Sequence, residues 1–480
     1  MQNYKLWYRL GLAIFIITAI FSVGYHNHDE HFQVLELANY KMELSPAGDL
    51  PWEFAARIRP AVQPFIVWSI GNILQGLNIY NPFLLAFILR LGMALLYWWA
   101  ILKLTKQLLP DFSYQRGKLL WVLCALLLWF IPYTSVRFSA EGFSGMLFCF
   151  AAGILLQHNE NTSRRYLQLL LAGLFLGFAW FARVQLGFAL VGVAIWVLFI
   201  SKWEFRYWSV LLLSFIIATG ICIGIDYWLY REWVFTPYNY FEVNLLHNKA
   251  SEFGVSPWWG YFELFIMNGV PPLSIVLLIL FFRGMWKKPV HLFTLACITF
   301  FAGHFFIGHK EMRFLFPLII PFIYLVCIGV DSWLHLPRRK VYTIGFKVLV
   351  FMNVGLLAYR AFTPAQDSIK YQRYMYDQAR EGRALLLCVE DNPYQAVTLN
   401  MNFCRHKNLD IIQVDNLDTV AKTSGNERVF LFSPRMLDEA TIKQYRLEQV
   451  YSSLPGWIRK FNINNWQART RIGVIYRVGS

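Results

Sequence analysis

Residues 12–23, LAIFIITAIFSV, are followed almost at once by HNHDEHFQ at residues 26–33. The first stretch, together with the apolar residues before it, is long enough to cross a membrane as a helix. No small-residue cleavage site flanks it, so we expect a retained helix and not a removed signal peptide. The second stretch places two adjacent carboxylates, Asp29 and Glu30, among three histidines. The sequence therefore predicts a membrane protein with ionisable groups directly after its first span.

The composition extends this prediction to the whole chain. Of its 480 residues, 57% are hydrophobic and only 15% are charged, a balance unlike that of a soluble domain. Stretches of about 18 to 22 mostly apolar residues recur, each matching a hydrocarbon core roughly 30 Å thick. We therefore predict an all-α polytopic membrane protein with about 11 transmembrane helices. The predicted spans are approximately 8–25, 82–102, 119–134, 140–156, 166–182, 185–201, 208–229, 262–282, 291–308, 314–334 and 342–361.

The distribution of charge orients these spans. The formal net charge is +15, which in a soluble protein would suggest a nucleic-acid partner, but in a polytopic protein the placement of the charges matters more. With a cytoplasmic N-terminus, every cytoplasmic connection carries Lys or Arg, as the positive-inside bias requires. We therefore expect the chain to contact membrane lipid, and we expect no nucleic-acid partner.

An odd number of spans places the C-terminal tail outside the cytoplasm. Its short apolar runs, separated by polar and helical-looking stretches, predict a small α/β domain. We therefore divide the chain into a transmembrane domain at 1–362 and an extracytoplasmic domain at 363–480. Cys388 and Cys404 lie in the tail, where they could form one disulfide or remain as buried thiols.

The predicted outer connections share a concentration of polar and ionisable residues. Besides Asp29 and Glu30, they contain Trp52, Glu53, Arg59, Arg137, Glu141, Arg183, Asn239, Asn244, His247, His309, Lys310, Glu311 and Arg313. All of these fall on one face under a topology derived only from Lys and Arg on the other face. They predict an outward-facing polar cavity with cations for an anion, carboxylates available as bases, and an apolar wall for a lipid.

Each group also has a simpler interpretation, and the sequence leaves both open. Asp29 and Glu30 could cap a helix N-terminus. Arg137 and Glu141 are spaced for an ion pair one helical turn apart. Single arginines at span ends can extend to lipid headgroups, and the group from His309 to Arg313 could be a polar turn. No internal repeat, phosphate-binding glycine loop, zinc spacing or nucleophile elbow is found in the sequence.

Several of these stretches resemble a known family. HKEMRFLFP at 309–317 matches the H-K-E-x-R-F-x-x-P signature of glycosyltransferase family 22, the polyprenyl-phosphate-mannose-dependent α-mannosyltransferases of GPI-anchor and N-glycan assembly. HDEHFQVLE is similar to the family's acidic segment and closest to the GPI-type members. The other similar stretches are PWEFAARIRP, with Pro51 where Thr is usual, RFSAEG, with Ala140 where Asn is expected, DYWLYREWVFTPYNYFEVN and FGVSPWW.

The resemblance implies a GT-C fold whose first outer loop, about 26–80, carries the acidic residue that takes part in catalysis. It implies that Asp29 is the general base for an acceptor hydroxyl that attacks a β-mannosyl phosphate, which inverts the anomeric centre and gives an α-mannoside. Glu30 would orient Asp29 or hold an acceptor hydroxyl, and the two carboxylates could exchange roles.

The leaving phosphate of the donor requires cations in a shielded site. The candidates for donor-phosphate binding are His309, Lys310, Arg313, Arg59 and Arg183. The candidates for substrate binding are Trp52, Glu53, Arg137, Glu141, Asn239, Asn244, His247 and Glu311. The resemblance implies no cofactor and no metal, with a metal held by the residues of HNHDEH as the alternative.

The expected partners are polyprenyl-phosphate mannose and a glycan or glycolipid acceptor. A flippase or transporter of a lipid-linked sugar is the main alternative, although transporters usually place ionisable groups at the bilayer midplane and carry inverted repeats. A GT-C transferase using another lipid-linked sugar is the second alternative. We expect a bacterial inner membrane with the site on its periplasmic or external face, or else the endoplasmic reticulum membrane with a lumenal site.

Overall fold

A computed structural model of the chain describes residues 4–157, 162–269, 271–335, 340–417, 428–454, 458 and 461–479. Contacts group the chain into two compact units. The first unit comprises Met1–Ser22, Trp52–Ser69 and Phe87–Thr363, and the second comprises Val23–Pro51, Ile70–Ala86 and Pro364–Ser480. The predicted domain boundary after residue 362 stays a prediction, and the second unit contains two segments from the N-terminal part of the chain in addition to the tail.

Helices make up most of the described chain before residue 364. In chain order they are α1 Lys5–Phe21, α2 His28–Glu30, α3 Leu37–Lys41, α4 Trp52–Ala55, α5 Val62–Gly76, α6 Pro82–Leu108, α7 Gln115–Leu127, α8 Phe130–Ser135, α9 Ala140–Leu155, α10 Thr162–Ala182, α11 Gly187–Ile195, α12 Phe205–Tyr230, α13 Thr236–Phe241, α14 Gly260–Asn268, α15 Leu273–Lys287, α16 Leu292–Phe305, α17 Ile319–Asp331 and α18 Lys340–Phe362. Three π-helical segments join or extend them, at His31–Glu36, Trp196–Ile200 and Glu242–Leu246. Short 3₁₀ helices lie at Ala47–Asp49, Leu109–Asp111, Val184–Leu186, Lys249–Phe253 and Met312–Leu318.

Within the described residues, five helical stretches are long and apolar enough to cross a membrane, namely Pro82–Asp111, Ser163–Ala182, Phe205–Tyr230, Met312–Asp331 and Ile344–Phe362. Shorter apolar helices lie at Ala140–Leu155, Val184–Ile200 and Leu292–Phe305. The chain is thus a helical multi-pass membrane protein, and the number of eleven spans stays a prediction.

Two predicted spans are not continuous helices. The span at 119–134 breaks at Leu128, whose backbone is extended. Pro132 lies four residues after Leu128, and in a continuous helix its ring would clash with the Leu128 carbonyl. α7 therefore ends at Leu127, and α8 begins as a new helix at Phe130. The span at 262–282 is divided between α14 and α15, and the two prolines just before α15 lack the N–H groups a continuous helix needs.

Close helix contacts in the first unit depend on glycine. A Cβ atom on Gly284 of α15 would lie 1.9 Å from the carbonyl oxygen of Leu325, and a Cβ atom on Gly329 of α17 would lie 2.1 Å from that of Leu280. The two helices therefore approach backbone to backbone, as small residues permit in membrane bundles.

The tail contains the predicted α/β structure. After α19, Ser368–Glu381, its strands are β1 Ala384–Val389, β2 Gln395–Ala396, β3 Leu399–Asn400, β4 Leu409–Val414, β5 Arg428–Ser433, β6 Leu447–Ser452 and β7 Val474–Val478, with short helices at Glu439–Gln444 and Trp466–Arg469. The main sheet has the order β4-β1-β5-β7-β6, with β1 parallel to β4 and β5, and β7 antiparallel to β5 and β6.

Burial explains why the central strands are apolar runs. In β1, Leu386 and Cys388 pack into one core cluster and Leu385 and Leu387 into another, so both faces of the sheet are covered. Cys388 and Cys404 are both buried and form no disulfide, so of the two alternatives left open by the sequence the structure has the buried thiols.

Candidate active site

The acidic pair begins a helix. Asn27 precedes α2, and its side-chain oxygen accepts the N–H of Asp29 at 3.0 Å. The Glu30 carboxylate accepts the N–H of His26 at 3.0 Å, so it reaches back over the start of the helix. Both contacts are of the helix-capping kind, and the negative charge favours the positive end of the helix dipole.

The two carboxylates differ in exposure. Glu30 is buried, with 8% of its surface exposed, whereas Asp29 is only half-buried. The capping interpretation therefore fits Glu30, and Asp29 is the more accessible of the pair. Among the described residues, no three His, Cys, Asp or Glu side chains are grouped so that they could hold a metal ion, so the metal alternative for HNHDEH finds no such site in the described structure.

A buried hydrogen-bond network follows the acidic pair. The carboxylate of Glu36 accepts the hydroxyl of Ser45 at 2.8 Å and the N–H of Phe403 at 2.8 Å, and its Oε1 lies 2.9 Å from Nε2 of His31. His31 and Glu36 are each 1% exposed. The first part of the predicted loop 26–80 is therefore an ordered segment held by several buried bonds.

In the first unit, the HKEMRF turn is paired internally. Arg313 donates to the Glu311 carboxylate from Nε at 2.6 Å and from Nη2 at 2.9 Å, while Nε2 of His309 lies 3.0 Å from the same carboxylate. Such a bidentate, charge-assisted contact fixes the guanidinium plane. Glu311 thus orients both the Arg313 guanidinium and the His309 ring.

The side chain of Lys310 has other contacts than those of His309 and Arg313, which meet at Glu311. Its ammonium donates to the carbonyl of Ile307 and lies 5.4 Å from the ring centroid of Tyr261. Only 7% of Lys310 is exposed. Removal from water disfavours the charged form, so burial lowers the pKa of Lys310 from its usual value.

Arg183 and the HKEMRF turn share one aromatic ring. The Arg183 guanidinium lies 4.8 Å from the centroid of the Phe314 ring, which is also 5.4 Å from the Arg313 guanidinium and 5.8 Å from the His309 ring. The ion-pair partner of Arg183 is Glu141, at 3.4 Å. The sequence had suggested that Glu141 pairs with Arg137, and the contact with Arg183 replaces that interpretation.

Several polar atoms around Arg183 are buried without a hydrogen-bond partner among the described residues. They are Nε of Arg183, the hydroxyl of Tyr261, Nε2 of His304 and Oε1 of Gln185. Nη2 of Arg183 makes no hydrogen bond there either, but it is the atom of the ion pair with Glu141 at 3.4 Å. The Tyr261 and His304 rings are 5.9 Å apart. Each such atom costs about 1–3 kcal/mol when left unpaired. We refer to Arg183, Gln185, Tyr261 and His304 as the unpaired cluster.

The unpaired cluster offers both donors and acceptors. Nδ1 of His304 lies 2.9 Å from the carbonyl oxygen of Phe300, which can only accept, so Nδ1 carries the hydrogen and Nε2 of the neutral ring is an acceptor. Gln185 Oε1 is also an acceptor, whereas Arg183 can only donate and the Tyr261 hydroxyl can do either. This combination suits a ligand that carries both anionic oxygens and hydroxyl groups.

Arg59 is connected to the same region. Its guanidinium lies 3.4 Å from the Glu53 carboxylate and 5.9 Å from the Tyr240 ring, and the Tyr240 hydroxyl accepts from Nε2 of Gln185 at 3.0 Å. The backbone is also fixed there, because Tyr230 donates to the Arg59 carbonyl at 2.7 Å.

The remaining predicted site residues have other contacts. Arg137 donates to the carbonyl and the hydroxyl of Ser22, at the end of α1. Asn239 donates to the carbonyl of Arg57 and Asn244 to that of Tyr240. The exposed His247 ends a π-helical segment, and Trp52 lies 5.5 Å from the Lys249 ammonium. The structure thus places Arg183, with its partner Glu141, against the HKEMRF turn through the Phe314 ring. Arg59, with its partner Glu53, contacts the Tyr240 ring, which is hydrogen-bonded to Gln185.

The sequence did not single out Tyr261 or His304. An imidazole within the apolar run that forms α16 is a signal that could have found His304, since ionisable groups inside spans are expensive unless they have a role. Tyr261 has no comparable signal, because aromatic residues are common at membrane interfaces.

The chain is similar in sequence to known mannosyltransferases. A model of the Alg9-like mannosyltransferase family matches residues 6–384. GPI mannosyltransferase 3 of Candida albicans is 23% identical over 84% of this chain and 78% of its own length, and GPI alpha-1,2-mannosyltransferase 3 of Bos taurus is 28% identical over 62% and 54%. Mannosyltransferase APTG1 of Arabidopsis thaliana is 23% identical over 82% and 74%. The chain therefore spans between about half and about four fifths of the length of these relatives.

The fold has solved neighbours. The crystal structure of ArnT from Cupriavidus metallidurans bound to undecaprenyl phosphate aligns with a TM-score of 0.53 at 12% identity, covering 99% of this chain and 98% of that chain. The apo structure of the same protein gives a TM-score of 0.50. At this identity the likeness concerns the fold alone, and it confirms the GT-C fold that the sequence resemblance implied.

Proposed function

Since the chain belongs to the Alg9-like mannosyltransferase family, whose members are glycosyltransferases, we propose that it is a membrane-embedded inverting transferase. It moves mannose from a polyprenyl-phosphate-linked donor to a hydroxyl of a glycan or glycolipid acceptor and forms an α-mannosidic linkage. The observation that carries this proposal is the unpaired cluster around Arg183, whose buried donors and acceptors match a sugar phosphate.

The cations supply the phosphate-binding part of the site. Nε of Arg183 has no hydrogen-bond partner among the described residues, and Nη2 contacts only the Glu141 carboxylate in an ion pair at 3.4 Å, beside the cationic HKEMRF turn. A guanidinium and an ammonium in a shielded site stabilise the charge that grows on the phosphate as the glycosidic bond breaks. The buried acceptors on His304 and Gln185 suit hydroxyl groups of the transferred sugar.

The carboxylates supply the base. As the acceptor oxygen attacks the anomeric carbon, the bond from that carbon to the phosphate oxygen breaks and its electron pair leaves with the lipid phosphate. The acceptor proton passes to Asp29. Its partial exposure supports this assignment, while burial and the bond to the His26 N–H leave Glu30 a capping and orienting role. Positioned proton transfer of this kind contributes about 10²–10⁴-fold.

The comparisons support the substrate classes. Curated relatives are named GPI mannosyltransferases, and one GT-C neighbour was solved with undecaprenyl phosphate. We propose that the site opens on the periplasmic or external face of a bacterial inner membrane, with the lumenal face of the endoplasmic reticulum membrane as the alternative. The remaining predicted residues, Trp52, Glu53, Arg137, Asn239, Asn244 and His247, stay candidates for contacts with the acceptor or the loops that hold it.

The test compares wild type with Asp29→Asn and Glu30→Gln, purified in detergent and given synthetic polyprenyl-phosphate mannose and a panel of mannoside and glycolipid acceptors. We expect Asp29→Asn to lose about 10²-fold or more in kcat while lipid donor still binds. Glu30→Gln retains an oxygen that can accept the His26 N–H, so we expect a smaller loss. Wild type that binds the donor but transfers mannose to no acceptor would contradict the proposal, and equal activity of Asp29→Asn would remove Asp29 from the mechanism.

A further inference from the structure

The tail holds the acidic segment by contacts inside the second unit. The Asp49 carboxylate accepts a hydrogen bond from Nδ2 of Asn400 at 2.9 Å and another from Nδ2 of Asn402 at 2.8 Å. Glu36 accepts the N–H of Phe403 at 2.8 Å. The tail stretch 399–403, which begins with β3, therefore supplies three hydrogen bonds to two carboxylates of the segment Val23–Pro51.

Apolar packing adds to these bonds. Tyr25, Phe32 and Met401 form one buried cluster. The Tyr25 hydroxyl lies 3.7 Å from the Met401 sulfur and accepts Nε2 of Gln366 at 2.6 Å. Tyr25 and Phe32 lie on either side of Asp29 in sequence, so tail residues fix the chain both before and after the carboxylate.

Both asparagines bind the same carboxylate. Asn400 ends β3 and Asn402 lies two residues beyond it, and their side-chain amides donate to the two oxygens of Asp49. A hydrogen bond to an ionised group is stronger than one between neutral groups. Asp49 is thus clamped by two amides from one short stretch of the tail.

We propose that residues 399–403 form a brace that sets the position of Asp29, with Asn400 and Asn402 as positioning residues. α2 is the first turn of a helical run over residues 28–41 that continues through His31–Glu36 and α3, and a run of this length holds its geometry mainly through packing. A displacement of about 1 Å in a reacting group can cost roughly 10²-fold in rate. The inference rests on the proposed function for the role of Asp29, while the brace itself is a property of the second unit.

The test uses the full chain and a charge exchange. Asn402→Asp places a second carboxylate against Asp49 and repels it. The double variant Asp49→Asn/Asn402→Asp restores the contact, because the amide at 49 can donate to the carboxylate at 402 and accept from Asn400. The matched control is Asn408→Asp, in the same domain, where the side-chain amide donates to the carbonyl of Ala379 and not to the acidic segment.

We expect Asn402→Asp to lower kcat by about 10- to 100-fold, with KM for the lipid donor unchanged. The double variant should recover most of the loss, and Asn408→Asp should keep wild-type kcat. A loss that the exchange does not rescue, or an equal loss in Asn408→Asp, would mean that the effect is general destabilisation and would overturn the brace.

Hydrogen exchange separates this inference from the proposed function. If wild type transfers no sugar from any lipid donor, the proposed function fails, and the brace is judged by the exchange rates of the amides in residues 26–36. Faster exchange in Asn402→Asp that the double variant reverses would support the brace. Unchanged exchange in Asn402→Asp would overturn it, whatever the activity.

Discussion

Lys310 is the residue whose surroundings make the clearest prediction about pH. Burial lowers its pKa, so the free enzyme loses the ammonium charge at a lower pH than the value of about 10.4 usual for lysine. If that charge binds the donor phosphate, kcat/KM for the donor should fall as the pH rises through the lowered pKa. Bound phosphate favours the charged ammonium, so kcat itself should fall at higher pH.

The measurement is a pair of pH profiles, for wild type and for Lys310→Arg. A guanidinium stays protonated throughout this range, so the alkaline fall of kcat/KM should move to higher pH in the variant. The same fall in both proteins would show that another group titrates.

We expect His304 to contact the sugar of the donor and not its lipid phosphate. Its Nε2 is a buried acceptor without a partner among the described residues. His304→Phe keeps the ring and removes the acceptor, so we expect KM for polyprenyl-phosphate mannose to rise by about 10-fold, the usual effect of losing one hydrogen bond to a ligand. Binding of polyprenyl phosphate without sugar should not change, and equal weakening of both ligands would place His304 at the phosphate instead.

At this scale the sequence predicted some residues better than others. Cations at the ends of spans stand out because charges near lipid need partners, and this reasoning singled out Arg59, Arg183 and the HKEMRF turn. The structure places Arg183 and Arg313 against one ring, that of Phe314. The prediction failed for the partner of Glu141, because Arg183 is distant in sequence and the nearer Arg137 had the right helical spacing. Which of these residues bind substrate stays a prediction.

At the scale of elements, Asp226 connects the end of α12 to two other helices. Its carboxylate accepts the N–H of Ala61, just before α5, at 2.8 Å and the hydroxyl of Thr236, the first residue of α13, at 2.7 Å. Asp226 is fully buried. We expect Asp226→Ala to leave both groups unsatisfied, at about 1–3 kcal/mol each, and Asp226→Asn to be milder because its amide can serve both. Melting in detergent measures this, and equal melting temperatures for the two variants would contradict it.

The helix interruptions show what hydropathy does not register. The predicted spans rest on the hydropathy of side chains averaged along the sequence. This average is high throughout 119–134 and 262–282, so each was predicted as one span although the structure divides them into α7 and α8 and into α14 and α15. Proline removes a backbone donor and blocks the carbonyl four residues earlier. This is an effect on the backbone, which the hydropathy of the side chains does not reflect. Pro132 was visible in the sequence, and its position relative to Leu128 accounts for the break that the structure has.

For the whole molecule, the tail's strands were predictable because each central strand is an apolar run buried on both faces. The inclusion of residues 23–51 in the same unit was not. The bonds responsible join residues 351 and 367 positions apart, from Asp49 to Asn400 and from Glu36 to Phe403. Carboxylates and asparagines at such separations have no local pattern, so only the folded chain pairs them.

The orientation of the chain in the membrane follows from the number of its spans. An odd number of spans puts the tail on the face opposite the cytoplasmic connections. Single cysteine replacements test this at Arg206, in a predicted cytoplasmic connection, and at Glu448 in the tail, whose side chains are 54% and 71% exposed. The native cysteines are good background, because six are buried and one is half-buried.

In intact cells or sealed vesicles of known orientation, a membrane-impermeant thiol reagent should label Glu448→Cys from outside and Arg206→Cys only after permeabilisation. Labelling of both from the same face would require an even number of spans between the two positions. If that face were the cytoplasmic one, the tail would lie in the cytoplasm together with the acidic segment it holds, and a donor site on the external face would no longer be tenable.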